Sequence, residues 1–159
     1  MRRLPDIEAQ AALSVDEFLR PLGIEEIGGY EATEGLFLNI LAATENVGLL
    51  YKARIDRDRP NVVEPRLRPL LAVRAHESLP SNHAFQGFSI VFAFNTLLPE
   101  HPATEELARI AQNVAENREW AGLHYPSDTD AGKELARRFA PYSRDAFGAA
   151  FLAAQAEWH

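Results

Sequence analysis

No stretch of this chain alternates apolar and polar residues with the period of two that a half-buried strand requires; its apolar residues recur at helical spacing instead. Val62-Val63 and Leu70 to Val73 are apolar but too short to carry a sheet. Proline and glycine divide the helical pattern. A first helix is expected from about Ile7 to Leu19, stopped by Pro21 and Gly23, and Gly28-Gly29 marks a loop. From about Thr33, the series Leu36, Phe37, Ile40, Leu41, Val47, Leu50 and Tyr51 predicts one long helix continuing toward Arg59 and ending at Pro60. Asn61 to Pro80 holds Pro65, Pro69 and Pro80 among short apolar pieces and reads as a long ordered loop, a feature that is often functional in a compact domain. Helices should follow over Asn82 to Leu97, ended by Pro99, and from Pro102-Ala103-Thr104-Glu105 to about Trp120, broken by Gly122. Pro126 suits the first turn of a helix running to about Phe139, with Asp128 and Asp130 near its positive end. Pro141 should interrupt, and Ser143 could cap a last helix from Arg144 to Trp158. The expected architecture is an all-α bundle. Residues 1–159 fit one domain, and that length can bury a core without disulfide or metal staples.

The chain has no cysteine, which excludes disulfides, thiolate zinc sites and cysteine nucleophiles. Its net charge of −7 disfavours nucleic acid and anionic membrane surfaces as partners. The charge is unevenly spread. Lys52, Arg54, Arg57, Arg59, Arg66, Arg68 and Arg74 face only Asp56, Asp58 and Glu64 within the same stretch. A local basic patch of this kind suits a small anion; the plainer reading is a solvated helix face with ordinary ion pairs. No apolar run reaches the roughly 20 residues of a membrane span. The longest candidate, Ala84 to Leu98, is interrupted by Gln86, Gly87, Ser89, Asn95 and Thr96. Met1-Arg2-Arg3-Leu4-Pro5-Asp6 lacks the apolar region of a signal peptide. The protein is therefore expected in the cytoplasm, or in a bacterial periplasm if a leader has been removed.

Three clusters carry the candidate chemistry. Lys52 and Arg59-Pro60 are seven residues apart, two turns of a continuous helix, so both cations are expected on one face. Pro80-Ser81-Asn82-His83 stands where the long loop meets a helix. Asn117-Arg118 is followed by His124 and Asp128. Each has a plain structural reading when taken alone: solvated cations, a helix cap at Ser81, a carboxylate placed for the helix dipole. In order, they spell Lys-x6-Arg-Pro, Pro-Ser-x-His and Arg-x5-His-x3-Asp. Nineteen residues separate Pro60 from Pro80, and thirty-three separate His83 from Asn117.

This ordered pattern resembles the three-part signature of the type 2 phosphatidic acid phosphatase (PAP2) / vanadium haloperoxidase superfamily. The run from Asn117 to Asp128 looks most like its soluble bacterial acid phosphatase branch. The resemblance spans residues 52–128, about half the chain. It implies a single-domain helical bundle of the PAP2/haloperoxidase type. It also implies a metal-independent acid phosphatase, a phosphoric monoester hydrolase working through a phosphohistidine. His124 would be the nucleophile, Asp128 its orienting carboxylate and His83 the general acid and base. Lys52, Arg59, Ser81, Asn82 and Arg118 would bind the phosphate. Asn82 stands where the family usually has glycine, and Asn117 where it often has serine. Asparagine keeps the backbone N–H and tolerates left-handed geometry better than most residues, so weakened or altered activity is expected before none.

The roles fit the chemistry. Phosphoryl transfer asks mainly for positioning and charge neutralisation, which three cations can supply without a metal. No metal is expected, because no histidine pair has the spacing of an H-E-x-x-H motif and there is no cysteine. Opposing pulls on His83, upward from phosphate and downward from the cations, suggest an optimum on the acid side of neutral. His76 could line the pocket or serve the surface. Two further readings stay open: a vanadium-dependent haloperoxidase, with vanadate as cofactor on the same residues, and an anion-binding module weakened at Asn82. The expected partner is a small phosphorylated substrate, and exposed aromatics could support a homo-oligomer.

Overall fold

The computed structural model of the protein describes residues 3–24 and 28–159. Met1 and Arg2, which open the stretch read for targeting signals, lie outside the described residues. The described residues are all-helical, with no strand. Eight α-helices follow in order: α1 Leu4–Ala9, α2 Asp16–Leu19, α3 Glu31–Ile55, α4 Pro60–Val63, α5 Asn82–Leu97, α6 Ala103–Trp120, α7 Pro126–Ala146 and α8 Gly148–Ala156.

Helix α5 is the axis of the molecule. Ala84, Phe85, Phe88, Ile90, Val91, Ala93, Phe94 and Leu97 are all buried, and together they cover every side of the helix rather than one stripe. It packs against α7, α6 and α3, and α3 also packs against α8. Small residues set the closest approaches. A Cβ on Gly87 would lie 3.2 Å from that of Ala111 on α6. One on Gly132 of α7 would lie 2.6 Å from the Ser81 carbonyl oxygen, at the start of α5.

Four local expectations are corrected. The helix expected over Ile7 to Leu19 is two short helices, with the chain leaving helical geometry between Ala9 and Asp16. The long helix starts at Glu31 and ends at Ile55, with Asp56 in the left-handed region at φ 52, so Lys52 and Arg59 do not share a continuous helical face. The Asn61–Pro80 segment is not loop throughout, because Pro60 at the first helical position opens the short α4. At the C-terminus, α7 runs through Pro141 to Ala146, and the break falls at Phe147. Pro141 cannot donate to the preceding turn, and the Ser143 hydroxyl, expected as a cap, instead donates to the Ala140 carbonyl at 2.9 Å.

Two devices fix the ends of the bundle. Helix α6 ends in a Schellman motif: Leu123 N–H donates to the Arg118 carbonyl at 3.1 Å, and Gly122 N–H to that of Glu119 at 2.8 Å. Gly122 takes the left-handed conformation this requires, with φ 75. The chain therefore doubles back directly after Arg118 and delivers His124 to the same side. At the other end of the bundle, the Glu157 carboxylate accepts from Ala32 N–H at 2.6 Å, and from Thr33 N–H and Oγ1 at 2.9 and 2.7 Å. It thereby caps the N-terminus of α3 from 124 residues away in sequence.

Candidate active site

A cavity of about 190 Å³ lies between the N-terminus of α5, the C-terminal part of α3, the loop before Pro80 and the α6–α7 turn. Lys52, Arg59, Asn82, His83, Arg118 and His124 line it, so six of the eight residues named from sequence meet there. Glu45, Leu49, Ala72, Arg74, His76, Gln86 and Leu123 complete the wall. A larger hollow of about 750 Å³ opens near Leu19, Arg20, Tyr30 and Glu34, but no histidine lines it.

Asp128 and Ser81 stand behind the cavity wall. Pro126 starts α7, which puts Asp128 at the third helical position, where its Oδ2 accepts from the Tyr125 backbone N–H at 3.0 Å. The same carboxylate meets His124 Nδ1 at 3.1 Å. The Ser78 hydroxyl donates to Oδ2 in a short contact, and Arg57 Nη1 donates to Oδ1 at 2.8 Å. Burial pushes the Asp128 carboxyl up, but donation from His124, Ser78 and the Tyr125 N–H outweighs it, and the group lies below its usual range. An ionised Asp128 accepts the Nδ1 proton of His124 and leaves Nε2 with its lone pair. Ser81 is fully buried, and its Oγ caps α5 by accepting from Ala84 N–H at 3.4 Å. Its own N–H donates to the Asp128 carbonyl at 2.9 Å, tying the two motifs together through backbone.

His83 stands in the first turn of α5. Its Nε2 meets the Gln10 carbonyl at 3.2 Å, so the proton sits on Nε2 and Nδ1 is free to take one. Burial, then the charge of Arg118 and the proximity of His124, hold His83 down to about 3. Burial likewise lowers His124 to about 4, against the raising pull of its hydrogen bond to Asp128. Both rings are therefore neutral in the empty site over the whole range from weakly acidic to basic pH.

The three cations are placed differently from one another. Lys52 is fully buried and gives two of its three N–H groups to the carbonyls of Glu77 and Ser78, each at 2.9 Å. Burial and then Arg59 push its ammonium down to about 7. Arg59 donates to the carbonyls of His76 at 2.8 Å, Leu123 at 3.0 Å and Glu77 at 3.3 Å, and meets His76 Nδ1 at 3.0 Å. Arg59 thus clamps the Arg74–Ser78 loop to the α6–α7 turn. Arg118 differs from both. Its side chain is buried, yet Nε and Nη1 find no hydrogen-bond partner among the described residues. Burial, then Arg59 and Arg74, lower it to about 10. A buried guanidinium with idle donors is costly unless something in the cavity accepts from them. No group of three or more acidic, histidine or cysteine side chains that could hold a metal occurs among the described residues.

Sequence reasoning missed three contributors. Ser78 has no motif around it; its N–H donates to the Arg57 carbonyl at 2.9 Å and its carbonyl accepts from Lys52, and this backbone placement brings its hydroxyl to Asp128. In sequence Arg57 is one charge of a basic patch; its guanidinium lies 4.2 Å over the Tyr125 ring while bonding Asp128 and Ser127. The Gln10 carbonyl, which sets the His83 tautomer, belongs to a break in the first helix that the periodicity hid.

No family model matches the sequence, and no curated protein matches it. Among solved structures, the chain is similar to a transmembrane PAP2-type phosphatidylglycerolphosphate phosphatase from Bacillus subtilis. The TM-score is 0.62 at 20% sequence identity, with 89% of this chain and 74% of that chain covered. The chain therefore has the fold of a PAP2-type phosphatase. Unlike that transmembrane neighbour, no helix among the described residues is long and apolar enough to cross a membrane.

Proposed function

We propose that the protein is a PAP2-type phosphatase, a phosphoric monoester hydrolase that works through a phosphohistidine without a metal. One observation carries the reading: the buried Arg118 guanidinium, with Nε and Nη1 unpartnered, lines the same cavity as two neutral histidines, one of them held by a carboxylate. A phosphate monoester supplies the missing acceptors and the opposite charge. The alternatives on this cavity are a vanadate-dependent peroxidase and an anion-binding module without turnover.

Substrate phosphate is held by Arg118, the remaining N–H groups of Lys52 and Arg59, and backbone N–H groups at the start of α5. His124 Nε2 attacks phosphorus and the P–O ester bond breaks. His83, protonated at Nδ1 once phosphate has raised its proton affinity, gives that proton to the departing alkoxide. Asp128 accepts the Nδ1–H of His124 and stabilises the charge that grows on the ring. His83, again neutral, then takes a proton from water as the water oxygen attacks phosphorus. The P–N bond breaks, and phosphate and His124 are regenerated. The likeness to a phosphatidylglycerolphosphate phosphatase makes lipid phosphates worth testing beside soluble esters.

Hydrolysis of p-nitrophenyl phosphate in EDTA tests the proposal. Turnover that survives chelation, falls with orthovanadate and disappears in His124→Ala is the expected result. Vanadate binding without hydrolysis would replace it with one of the alternatives, and bromide oxidation by peroxide would select the peroxidase.

A further inference from the structure

Asn82 occupies a position where a side chain threatens the cavity. It is the first residue of α5 and lines the cavity beside His83. Its backbone is not among the positive-φ residues, so the left-handed tolerance of asparagine is not what admits it here. The demand is one of space: whatever stands at this position must send its side chain somewhere other than the anion site. In this protein the carboxamide folds back against α3. Its Nδ2 reaches the Glu45 carbonyl at 3.4 Å, while Oδ1 is buried with no partner among the described residues.

The facing surface of α3 at this point is Gly48. A Cβ there would lie 2.1 Å from Asn82 Oδ1, 2.8 Å from its Cγ and 3.0 Å from its Nδ2. No real contact is that short, so the two side chains exclude each other. Gly48 is otherwise ill suited to its place. It stands in the interior of a 25-residue helix, where glycine is less favourable than alanine by roughly 1 kcal/mol. The three atoms nearest to its missing methyl all belong to Asn82.

We propose that Gly48 is a positioning residue for the anion site: its bare backbone is the slot that seats the Asn82 carboxamide and keeps it out of the phosphate cavity. The inference rests on the phosphatase reading for its functional consequence, though not for the fit itself. A methyl at position 48 leaves Asn82 two ways to move, deeper into the cavity or along α3 with a shift of the first turn of α5. The first puts a carboxamide where the anion binds; the second displaces the N–H groups and His83, which stand in that same turn. Misplacement of about 1 Å at such a site lowers rates by as much as a hundredfold. With glycine at 82 the three atoms that a methyl at 48 would strike are gone.

The test is a double-mutant cycle on the full chain: wild type, Gly48→Ala, Asn82→Gly and the double variant. Orthovanadate affinity by calorimetry, kcat and KM for p-nitrophenyl phosphate, and Tm are read for each. The expected result is that Gly48→Ala weakens vanadate binding and lowers kcat by roughly tenfold to a hundredfold when residue 82 is asparagine. It should change them by less than about threefold when residue 82 is glycine, an interaction as large as neighbours in contact can show. A Gly48→Ala protein that fails to fold while the double variant folds also supports the proposal. Equal losses in both backgrounds, or failure of both to fold, overturn it, because Gly48 would then be needed for something other than Asn82. Coupling confined to Tm, with vanadate affinity unmoved, overturns the positioning role. If wild type neither binds vanadate nor hydrolyses the ester, the phosphatase reading fails by itself. Coupling in Tm would then decide the fit of Gly48 and Asn82 alone.

Discussion

Arg118 and Asp128 show two opposite ways of burying a charge. Asp128 has every oxygen engaged, by His124, Ser78, the Tyr125 N–H and Arg57. Arg118 has buried donors with no acceptor among the described residues. An unpaired buried ion weakens a fold, and the cost is recovered only when a ligand completes it. Arg118→Met should therefore separate stability from function. It is expected to raise Tm by a few degrees, corresponding to on the order of 1–2 kcal/mol, while lowering vanadate affinity at least about a hundredfold. A lower Tm in the variant would mean that the guanidinium is satisfied in the empty protein. For Asp128, Ser78→Ala removes one donor and leaves the others. Its carboxyl should rise, so activity should be lost at a higher pH on the acid side, with kcat at the optimum reduced about tenfold. A pH–rate profile superimposable on that of wild type would remove Ser78 from the mechanism. At this scale, the cations and histidines were legible because they fall in an ordered spacing, and the lysine and histidines are also scarce in this chain. Ser78 and the Gln10 carbonyl were not, since a serine in a loop and a backbone oxygen carry no pattern until the chain has folded.

Helices meet at this site because two of them can approach closely. Gly132 brings α7 onto the first turn of α5, where a Cβ would meet the Ser81 carbonyl at 2.6 Å, the Ala84 Cβ at 2.8 Å and the Phe85 nitrogen at 3.0 Å. Two of those three atoms are backbone and cannot rotate away. Gly132→Ala should cost about 1–3 kcal/mol, lowering Tm by several degrees, and should reduce activity further by separating Asp128 from Ser81. An unchanged Tm would show that the two helices have room to part. Elements bounded by their own residues were readable from sequence. Helix α5 has Ser81 as its cap and Pro99 just beyond its end, and α6 ends at Trp120 with Gly122 just beyond; both fall where expected. Elements bounded by distant partners were not. Glu157 leaves the end of α8 to cap α3, and Asp56 ends α3 without a glycine or proline at that position. Pro141 is accommodated within α7 where local preference would have ended the helix. In each case tertiary packing outweighs local propensity.

Across the whole molecule, the two buried histidines tie stability to pH with a definite sign. In the unfolded chain both take up protons near 6.5, whereas in the folded protein His124 does so only near 4 and His83 near 3. Between those limits the unfolded chain binds more protons, so stability falls as pH falls through the window from 6.5 downward. Above about 6.5 neither ring contributes to the slope. Lys52 acts in a separate range, since its ammonium is held near 7 against 10.5 unfolded. Stability should accordingly rise with pH between those two values. Carboxylates such as Asp128, held low in the fold, also lose stability in acid, so the wild-type curve alone does not isolate the histidines. His83→Gln does. It removes one neutral buried ring while leaving His124 and Asp128 in place, and it should flatten the decline in Tm between pH 6.5 and 4. The difference between the two proteins should grow toward acid and reach at most a few kcal/mol. Inorganic phosphate should narrow that difference at pH 5, because the bound anion favours the protonated ring that burial and Arg118 disfavour. Thermal melts of both proteins at half-unit pH steps, with and without phosphate, measure each of these quantities. Parallel curves would mean that His83 titrates as a free histidine, and with it the general acid assigned to the site would lose its physical basis.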